Sequence, residues 1–347
     1  MHVIDWLLED DMPGVELLAR TWLLGESPTS RRVKGATRRL NDYPPVAAML
    51  DRVEDAIAER PYQKYRGSYW TLIFLAEMQA SHRSTNRGAA LRRLANHVRD
   101  HQLDNGGFAP SGKPSFEIVC LTANILRALV HCGHGESVSV AAGYRRLAER
   151  ILPNGGVPCL IIDNYTLLDD CKMTLPQTLR SVASVPGSVE PEAMRQLRAL
   201  LVTKMLEIRV YRYVRPDSAS FRRDLVPLRP AGTTQADFTR EYRRKHRATA
   251  TDLLPKQGWL RFGFPHSYNS DLLEAMLALA EAGAEYDPVM DEALDHIESR
   301  SDERGRWRME TSLNGRMLAT VERKGRPSKW LTLQALRVLQ HFGRVVI

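Results

Sequence analysis

The sequence has few cysteines and no long apolar run, and these absences narrow the class of protein. Four cysteines in 347 residues are too few for the disulfide framework of a small secreted domain. The first nine residues carry acids and no basic stretch, so we expect no secretion signal. No apolar stretch approaches the length of a membrane span. These features predict a cytoplasmic protein whose thiols are reduced, and either free or bound to a metal.

Alternation of apolar and polar residues, the pattern of a half-buried strand, is nearly absent. There is also no phosphate-binding glycine loop, no dinucleotide-binding fingerprint and no Gly-x-Ser-x-Gly elbow. What remains is helical periodicity in a chain that is 43% hydrophobic and 26% charged, as expected for a globular protein with a large core. The sequence therefore predicts an all-α fold.

The formal net charge of +8 favours anionic partners such as a diphosphate or an acidic membrane surface. Two basic runs, 31–39 and 240–247, contribute to it. Basic runs are usually solvated faces, and Tyr242 is the sole aromatic residue of the second run. Because stacking on bases needs interleaved aromatic rings, the sequence argues against nucleic acid. Peripheral membrane contact stays open.

Two short glycine turns, 102–108 and 152–156, each follow a polar helical pattern, at 86–101 and 139–151 respectively, and each precede a more apolar one. Gly106 and Gly155 are 49 residues apart, and Cys120 and Cys171, which open the apolar patterns, are 51 apart. Less regular copies, one of which has its apolar helical pattern at 268–282, bring the number of polar/apolar helix pairs to five. A repeat of this length indicates a solenoid-like arrangement.

A single helix pair of this kind cannot bury its apolar face, whereas stacked pairs can. We therefore expect an α/α toroid, a barrel of about five to six outer/inner helix pairs. The charged helices lie outside and the apolar ones surround a central cavity. The prediction is one domain over 1–347, with a helical extension at 1–45 and insertions near 215–257 and 308–329. Insertions of this length are typical of lids or binding loops.

The segments 102–108 (Gln-Leu-Asp-Asn-Gly-Gly-Phe) and 302–307 (Asp-Glu-Arg-Gly-Arg-Trp) resemble the Gln/Asp-Gly-Gly-Trp repeat of squalene cyclases and protein prenyltransferase β subunits. Tyr65-Arg66-Gly67 and Pro-Ser-Lys-Trp at 327–330 are similar to a bacterial branch of prenyltransferase and squalene-oxidase repeat proteins. The resemblance implies a terpene cyclase or prenyltransferase that acts on an isoprenoid substrate in the central cavity. The Asp-x-Asp-Asp acid motif of the cyclases is absent from this sequence.

Inner helices that run the same way bring their N-termini to one mouth of a toroid. Sequence-distant residues would converge there, as a binding site requires, and helix N-termini favour anions. Basic residues at the mouth would bind a diphosphate, and aromatic rings would stabilise carbocations. The alternative is that the same residues cap and pack the repeats. The predicted binding residues are Tyr65, Arg66, Trp70, Asn124, Arg261, His266, Tyr268, Asn269, Lys329 and Trp330.

Three carboxylates are candidates for catalysis. Asp271 or the pair Asp169 and Asp170 would start cyclisation by protonation. Asp271 could also hold magnesium with a diphosphate substrate. The alternative for Asp271 is a helix cap, a role that aspartate often has.

Three cysteines are candidates for a metal site. Cys120, Cys159 and Cys171 would bind zinc, with a carboxylate or a histidine as the fourth ligand. The alternative is that they are small buried apolar residues. Besides the isoprenoid enzyme, two functions therefore stay open: a non-catalytic toroid that binds an anionic partner, and a zinc-thiolate enzyme with a non-isoprenoid substrate. A deep apolar cavity would favour the isoprenoid enzyme, and a filled centre the non-catalytic toroid.

Overall fold

The computed structural model describes residues 2–157, 171, 173–185, 191–207, 229–234 and 258–347. These residues form helices and loops without any strand, apart from three isolated bridges. The predicted all-α class is therefore confirmed for this part of the chain. No helix within it is long and apolar enough to cross a membrane.

The α-helices are α1 (Val3–Leu7), α2 (Pro13–Leu18), α3 (Arg31–Arg39), α4 (Pro44–Leu50), α5 (Val53–Ala58), α6 (Ser68–Glu77), α7 (Gly88–Asp100), α8 (Val119–Leu129), α9 (Val138–Ile151), α10 (Thr174–Ala183), α11 (Glu192–Glu207), α12 (Leu272–Glu281), α13 (Asp291–Ser299) and α14 (Lys329–His341). Short 3₁₀ and π turns extend several of them.

Two kinds of helix alternate along the chain, as the apolar pattern predicts. Every residue of α6 is buried, and α8, α10, α12 and α14 are buried over nearly their whole length. In contrast, α7 buries Leu91, Leu94, Ala95 and Val98, a spacing that puts one face on the core and the other in water. We call α6, α8, α10, α12 and α14 the inner helices.

The inner helices pack against one another in chain order, α6 on α8, α8 on α10, α10 on α12 and α12 on α14. The last of them, α14, also contacts α1 and α2. At Gly14 in α2, an added Cβ would lie 2.7 Å from the Trp330 ring and 2.9 Å from the carbonyl oxygen of Met78. Helix α2 therefore lies between the start of α14 and the end of α6.

The sequence repeat has a counterpart in the backbone hydrogen bonds. At the start of four inner helices, an N–H donates to the carbonyl of the apolar residue that follows the preceding turn. These bonds join Ile118 to Phe108 (3.2 Å), Cys171 to Val157 (3.1 Å), Leu272 to Trp259 (2.8 Å) and Ser328 to Trp307 (2.8 Å). The position of Trp259 identifies a copy of the turn that the glycine spacing did not predict.

The start of α12 differs from the prediction. The apolar pattern indicates a helix from 268, but α12 begins at Leu272. The Asp271 side chain accepts a hydrogen bond from the Glu274 N–H at 2.9 Å, so Asp271 is the N-cap and fixes the helix start. Tyr268 therefore lies in the loop before α12. Of the predicted 215–257 insertion, only residues 229–234 belong to the described chain.

Candidate functional site

A cavity of about 280 Å³ lies where the loops before α6, α10, α12 and α14 meet, and we call it the mouth cavity. It is lined by residues from distant parts of the sequence. Five of the predicted site residues line it: Tyr65, Arg261, His266, Asn269 and Asp271. Ser267, Ser270 and Arg316 also line it and were not predicted.

Two buried ionisable side chains form one wall of the mouth cavity. Asp271 is 6% exposed and His266 is 4% exposed. Asp271 accepts hydrogen bonds from the backbone N–H groups of Gly263 and Glu274, both at 2.9 Å. Burial raises the pKa of Asp271 to about 6, although His266 and these N–H donors act against the shift. A carboxyl group of this kind can exchange a proton near neutral pH.

Two arginines give the mouth cavity its positive charge. Arg261 and Arg316 both line it and both are exposed. Within the described residues, neither guanidinium forms an ion pair with a carboxylate. Guanidinium groups bind phosphate and carboxylate oxygens through paired hydrogen bonds. The cavity can therefore hold an anion between its buried wall and its exposed arginines.

Aromatic rings pack beside the cavity. The Tyr65 and Tyr268 rings are parallel, with centroids 6.4 Å apart, and Trp70 meets Tyr268 edge-on at 6.1 Å. Trp70 also contacts Tyr65 and Phe74. The predicted aromatic residues Tyr65, Trp70 and Tyr268 thus form one cluster. Trp70 lies in the first turn of α6 and Tyr65 just before that helix, and Tyr268 comes from the loop before α12.

A polar ladder connects the inner helices behind the cavity. Asn124 donates to Gln177 Oε1 at 3.1 Å, and Gln177 donates to the Ser267 carbonyl at 2.7 Å and to Ser270 Oγ at 3.1 Å. Asn124, a predicted binding residue, therefore holds the cavity loop in place through Gln177 instead of lining the cavity.

Buried charges fill the space between the inner helices. Arg180 of α10 contacts Glu77 of α6 at 3.2 Å and Glu274 and Glu281 of α12 at 3.1 and 3.0 Å. Arg127 of α8 pairs with the same Glu77. Burial raises the pKa of Glu77, but Arg127 and Arg180 outweigh it and hold that pKa below its usual range.

The buried ion pairs reach the mouth cavity through one histidine. His266 Nδ1 lies 3.7 Å from Glu274 Oε2, and His266 Nε2 is 3.2 Å from Gln334 Oε1 of α14. Side chains from all five inner helices therefore meet in one polar centre. In the part of the chain that the structure describes, this centre is filled by paired charges.

A second cavity, of about 550 Å³, lies between the outer helices α9 and α11. Its walls are mainly apolar and include Tyr144, Leu152 and Met194. Val185 and Pro191 also line it, and the residues that join those two lie outside the described chain. It is separate from the predicted site residues.

Besides Trp70, Asn124 and Tyr268, three further predicted binding residues do not line the mouth cavity. The Lys329 ammonium is 4% exposed and binds Glu9 at 2.7 Å and Asp11 at 2.5 Å, so it anchors the N-terminal segment to α14. Trp330 is buried and stacks on Phe264 with centroids 4.5 Å apart. Arg66 is exposed and is not part of the cavity lining.

The structure describes two of the three cysteines of the predicted zinc site, Cys120 and Cys171. Burial raises the pKa of the Cys120 thiol to about 12, and the neighbouring Cys171 contributes to the increase. Within the described residues, no three His, Cys, Asp or Glu side chains form a group that could hold a metal. Cys159 and the acidic pair Asp169 and Asp170 lie outside those residues, so the predicted zinc and magnesium sites stay predictions.

Sequence reasoning missed several residues of the site. Arg316 belongs to an Asn-Gly-Arg segment whose positive-φ glycine, Gly315 (φ 79°), turns the chain. Lys64, next to the predicted Tyr65, donates to the Tyr268 hydroxyl at 2.6 Å. Arg180 and Glu77 gave no signal, because single charges on apolar helices are not distinctive until their partners are known.

The chain matches none of the known protein families with which it was compared. None of the curated proteins is significantly similar to it either.

Proposed function

We propose that the inner helices form a closed α/α toroid with α2 at the junction between α14 and α6. Three observations support the closed arrangement. The inner helices pack in chain order, their starts share a recurrent backbone hydrogen bond, and Arg180 of α10 contacts Glu77 of α6, two positions away in that order. Contacts between helices that are not neighbours in the order are expected where few helices surround one centre.

The function that the geometry supports best is binding of a small anionic ligand in the mouth cavity. The observation that carries this proposal is the pair Arg261 and Arg316, which line the cavity without a carboxylate partner in the described chain. Ser267 lies in the same lining and its hydroxyl group is a suitable donor to an anion, whereas the Ser270 hydroxyl already donates to the Met173 carbonyl at 3.0 Å. The volume of about 280 Å³ suits a small phosphorylated molecule.

The filled centre favours this proposal over a cyclase that encloses its substrate among the inner helices. Paired charges such as Arg180 and Glu274 lie where a triterpenoid chain would have to lie. Burying an apolar chain there would separate these charges, and an unpaired buried charge is costly. The ligand is therefore placed at the mouth and not in the centre.

The test is binding of inorganic pyrophosphate, measured by titration calorimetry on the wild type and on Arg261→Ala, Arg316→Ala and the double variant. A charge-assisted hydrogen bond contributes about 1.5–3 kcal/mol, so each single substitution should weaken binding about tenfold or more. The matched control is Arg323→Ala, because Arg323 is exposed and is not part of the cavity lining.

Unchanged affinity in the double variant, or an equal loss in Arg323→Ala, would contradict an arginine site at the mouth. The thermal midpoint of each variant must also match the wild type. Both substituted arginines are exposed, so neither substitution should affect folding.

A second candidate is an isoprenoid diphosphate as the ligand, as the resemblance implies. It is favoured by the aromatic cluster beside the cavity, in which Trp70 contacts Tyr65 and Tyr268. Such rings bind prenyl chains and stabilise carbocations. Farnesyl diphosphate should then bind more tightly than pyrophosphate, and Trp70→Leu should remove the difference. Equal affinities for farnesyl diphosphate and pyrophosphate would show that the site recognises the diphosphate group and not the prenyl chain.

The zinc-thiolate alternative requires Cys120, Cys159 and Cys171. Cys120 and Cys171 are neighbours, and Cys159 lies outside the described residues. Metal analysis of the reduced protein decides it. About one zinc per chain, lost in the Cys120→Ser/Cys171→Ser variant, would support a thiolate site. Metal-free protein would assign both thiols to packing.

A further inference from the structure

Two segments of the chain that contain no acidic residue, 27–41 and 78–99, lie against each other. The side chain of Asn41 is fully buried between them. It donates to the backbone carbonyls of Ser81 and Asn86, both at 2.9 Å, and accepts a hydrogen bond from the Ser81 N–H, also at 2.9 Å. These bonds fix the end of α3 to the loop before α7, so the two segments present one continuous surface.

The side of α3 that is exposed to solvent is basic. Val33 and Ala36 are buried and attach the helix to the core. Arg31, Lys34 and Arg38 are exposed and lie three and four residues apart, a spacing that places them on one side of the helix. The exposed cations of the two segments without an ion-pair partner are named the basic face here: Arg31, Arg32, Lys34, Arg38, Arg83 and Arg92.

Arg83 and Arg92 extend the basic face beyond α3. Arg83 belongs to the loop that Asn41 holds against α3. The guanidinium of Arg92 reaches the same loop, because an added Cβ at Gly88 would lie 3.4 Å from that guanidinium and 3.2 Å from the carbonyl oxygen of His82. The six cations therefore come from a helix and a loop whose relative position is fixed.

The acidic side chains that reach the two segments are bound by other arginines. These pairs are Asp42 and Asp51 with Arg87, Glu54 with Arg93, and Glu16 with Arg39. Within the described residues, none of the six cations of the basic face forms an ion pair with a carboxylate. The basic face therefore keeps its positive charge for a partner.

The basic face also lacks large exposed apolar side chains. In the described part of the chain, the exposed large apolar residues all lie outside 27–41 and 78–99. Protein interfaces have an apolar core, and proteins that bind single-stranded nucleic acid stack the bases on aromatic rings, so neither partner suits this surface. Clusters of four to eight lysines and arginines on a helix are typical of proteins that bind anionic lipid headgroups.

We propose that the basic face docks the protein onto an anionic bilayer surface, with α3 parallel to the layer of headgroups. The guanidinium and ammonium groups donate hydrogen bonds to phosphate and carboxylate oxygens of the lipids. Because Val33 and Ala36 are already buried in the protein core, α3 does not insert into the hydrocarbon, and the contact is electrostatic. This surface is separate from the mouth cavity, so the proposal does not depend on the anion site there.

The test is co-sedimentation with vesicles of phosphatidylcholine alone or of an equal mixture of phosphatidylcholine and phosphatidylserine. We expect the wild type to bind the mixed vesicles much more tightly than the neutral ones. Each basic residue near an anionic bilayer strengthens binding about fivefold. The variant Arg31→Gln/Arg32→Gln/Lys34→Gln/Arg38→Gln should therefore bind mixed vesicles at least about a hundredfold more weakly. Glutamine preserves the helix, because its helix propensity is close to that of arginine and lysine.

The matched control is Arg304→Gln/Arg323→Gln/Lys324→Gln/Arg326→Gln, which also removes three arginines and one lysine, all exposed. Each variant removes four positive charges, so both lower the formal net charge from +8 to +4. The control should bind mixed vesicles within about fivefold of the wild type. An equal loss in the two variants would mean that net charge and not the basic face causes binding. Wild-type protein that ignores mixed vesicles, or binds neutral ones as tightly, would also overturn the proposal.

A second variant, Arg83→Gln/Arg92→Gln, leaves α3 intact and decides the question if the first variant does not fold. It should weaken binding to mixed vesicles about 25-fold, and unchanged affinity would contradict the basic face.

Two further measurements test the kind of contact and the partner. Raising the salt from about 0.1 M to 1 M shortens the Debye length from about 10 Å to 3 Å, so it should release the wild type from mixed vesicles. Binding that survives this change would contradict electrostatic docking. The same protein is then titrated with a short DNA duplex at the lower salt. Tighter binding to the duplex than to the vesicles, lost in the α3 variant, would assign the basic face to nucleic acid and overturn the membrane proposal.

Discussion

Replacing Arg180 by methionine should destabilise the fold more than almost any other single substitution. Arg180 is 3% exposed and contacts three carboxylates, Glu77, Glu274 and Glu281, at 3.0–3.2 Å. Breaking a buried ion pair by removing one partner costs about 3–5 kcal/mol, because the remaining charge is left unpaired in the core. Since Arg180 serves three carboxylates, we expect a loss near the upper end, about 4–5 kcal/mol.

The assay is urea unfolding followed by far-ultraviolet circular dichroism, with the midpoint compared at constant slope. Arg93→Met is the matched control, since Arg93 pairs with Glu54 on the surface, where the side chains are 61% and 68% exposed. Glu54 stays in water when Arg93 is removed, so the control should have the wild-type midpoint.

The pH dependence of this loss is a second measure of the same effect. Arg180 and Arg127 hold the pKa values of Glu77 and Glu281 below their usual range against the effect of burial. A lowered folded-state pKa stabilises the fold above the unfolded value and loses that effect as the pH falls. In Arg180→Met, burial dominates, and protonation relieves the unpaired carboxylates. The difference from wild type should therefore be largest at neutral pH and shrink as the pH falls through the ordinary glutamate pKa of 4.5.

Two outcomes would refute this reasoning. A loss no greater than about 0.5 kcal/mol, the size of an ordinary surface substitution, would mean that Arg180 does not neutralise the centre. A large loss that is independent of pH would assign the effect to packing and not to charge.

Three smaller perturbations test other parts of the fold. Burial raises the folded-state pKa of Glu322 from 4.5 to about 7, so ionisation of Glu322 destabilises the wild-type fold as the pH rises through that interval. Glu322→Gln removes this ionisation, and its thermal midpoint should therefore rise relative to wild type between about pH 4.5 and 7. An unchanged difference across the series would contradict a buried, titrating Glu322. Lys329→Met removes the ammonium that binds Glu9 and Asp11. Limited proteolysis should therefore cut the N-terminal segment of the variant faster than that of the wild type, with no change in the rate of cleavage elsewhere. Equal cleavage of the N-terminal segment in both proteins would contradict the anchor. Gly14→Ala places a methyl group 2.7 Å from the Trp330 ring and should lower the free energy of unfolding in urea by about 1–3 kcal/mol. The control Gly35→Ala adds a Cβ with no atom within 4 Å and should not destabilise the fold. An equal effect at both glycines would argue against the tight contact at Gly14.

The helices and their inner or outer character could be predicted from the sequence. The patterns at 86–101 and 139–151 correspond to α7 (Gly88–Asp100) and α9 (Val138–Ile151) within two residues at each end. This succeeds because helix amphipathicity depends on residues three and four apart, which are adjacent in the sequence pattern. The closed arrangement of the helices and the isoprenoid function stay proposals.

The sequence also predicted five of the residues that line the mouth cavity, among them Asp271 and Arg261. That prediction used position alone, since residues before equivalent helices of a repeat gather at one end. It could not separate Arg316, which lines the cavity, from Lys329, whose ammonium binds the N-terminal acids. Both are single basic residues near the same helix, and their different roles depend on which carboxylates lie within reach.

By itself, the sequence determined the periodic features of this protein: the helices, their apolar faces and the repeated turn. Tertiary structure alone decided which side chains fill the centre and which charges pair with one another. Glu77 and Arg180 are 103 residues apart in sequence, and neither side chain is unusual in its own helix. The free energy of a buried charge is set by the charges and donors within a few ångströms of it, and the fold, not the local sequence, brings those groups together.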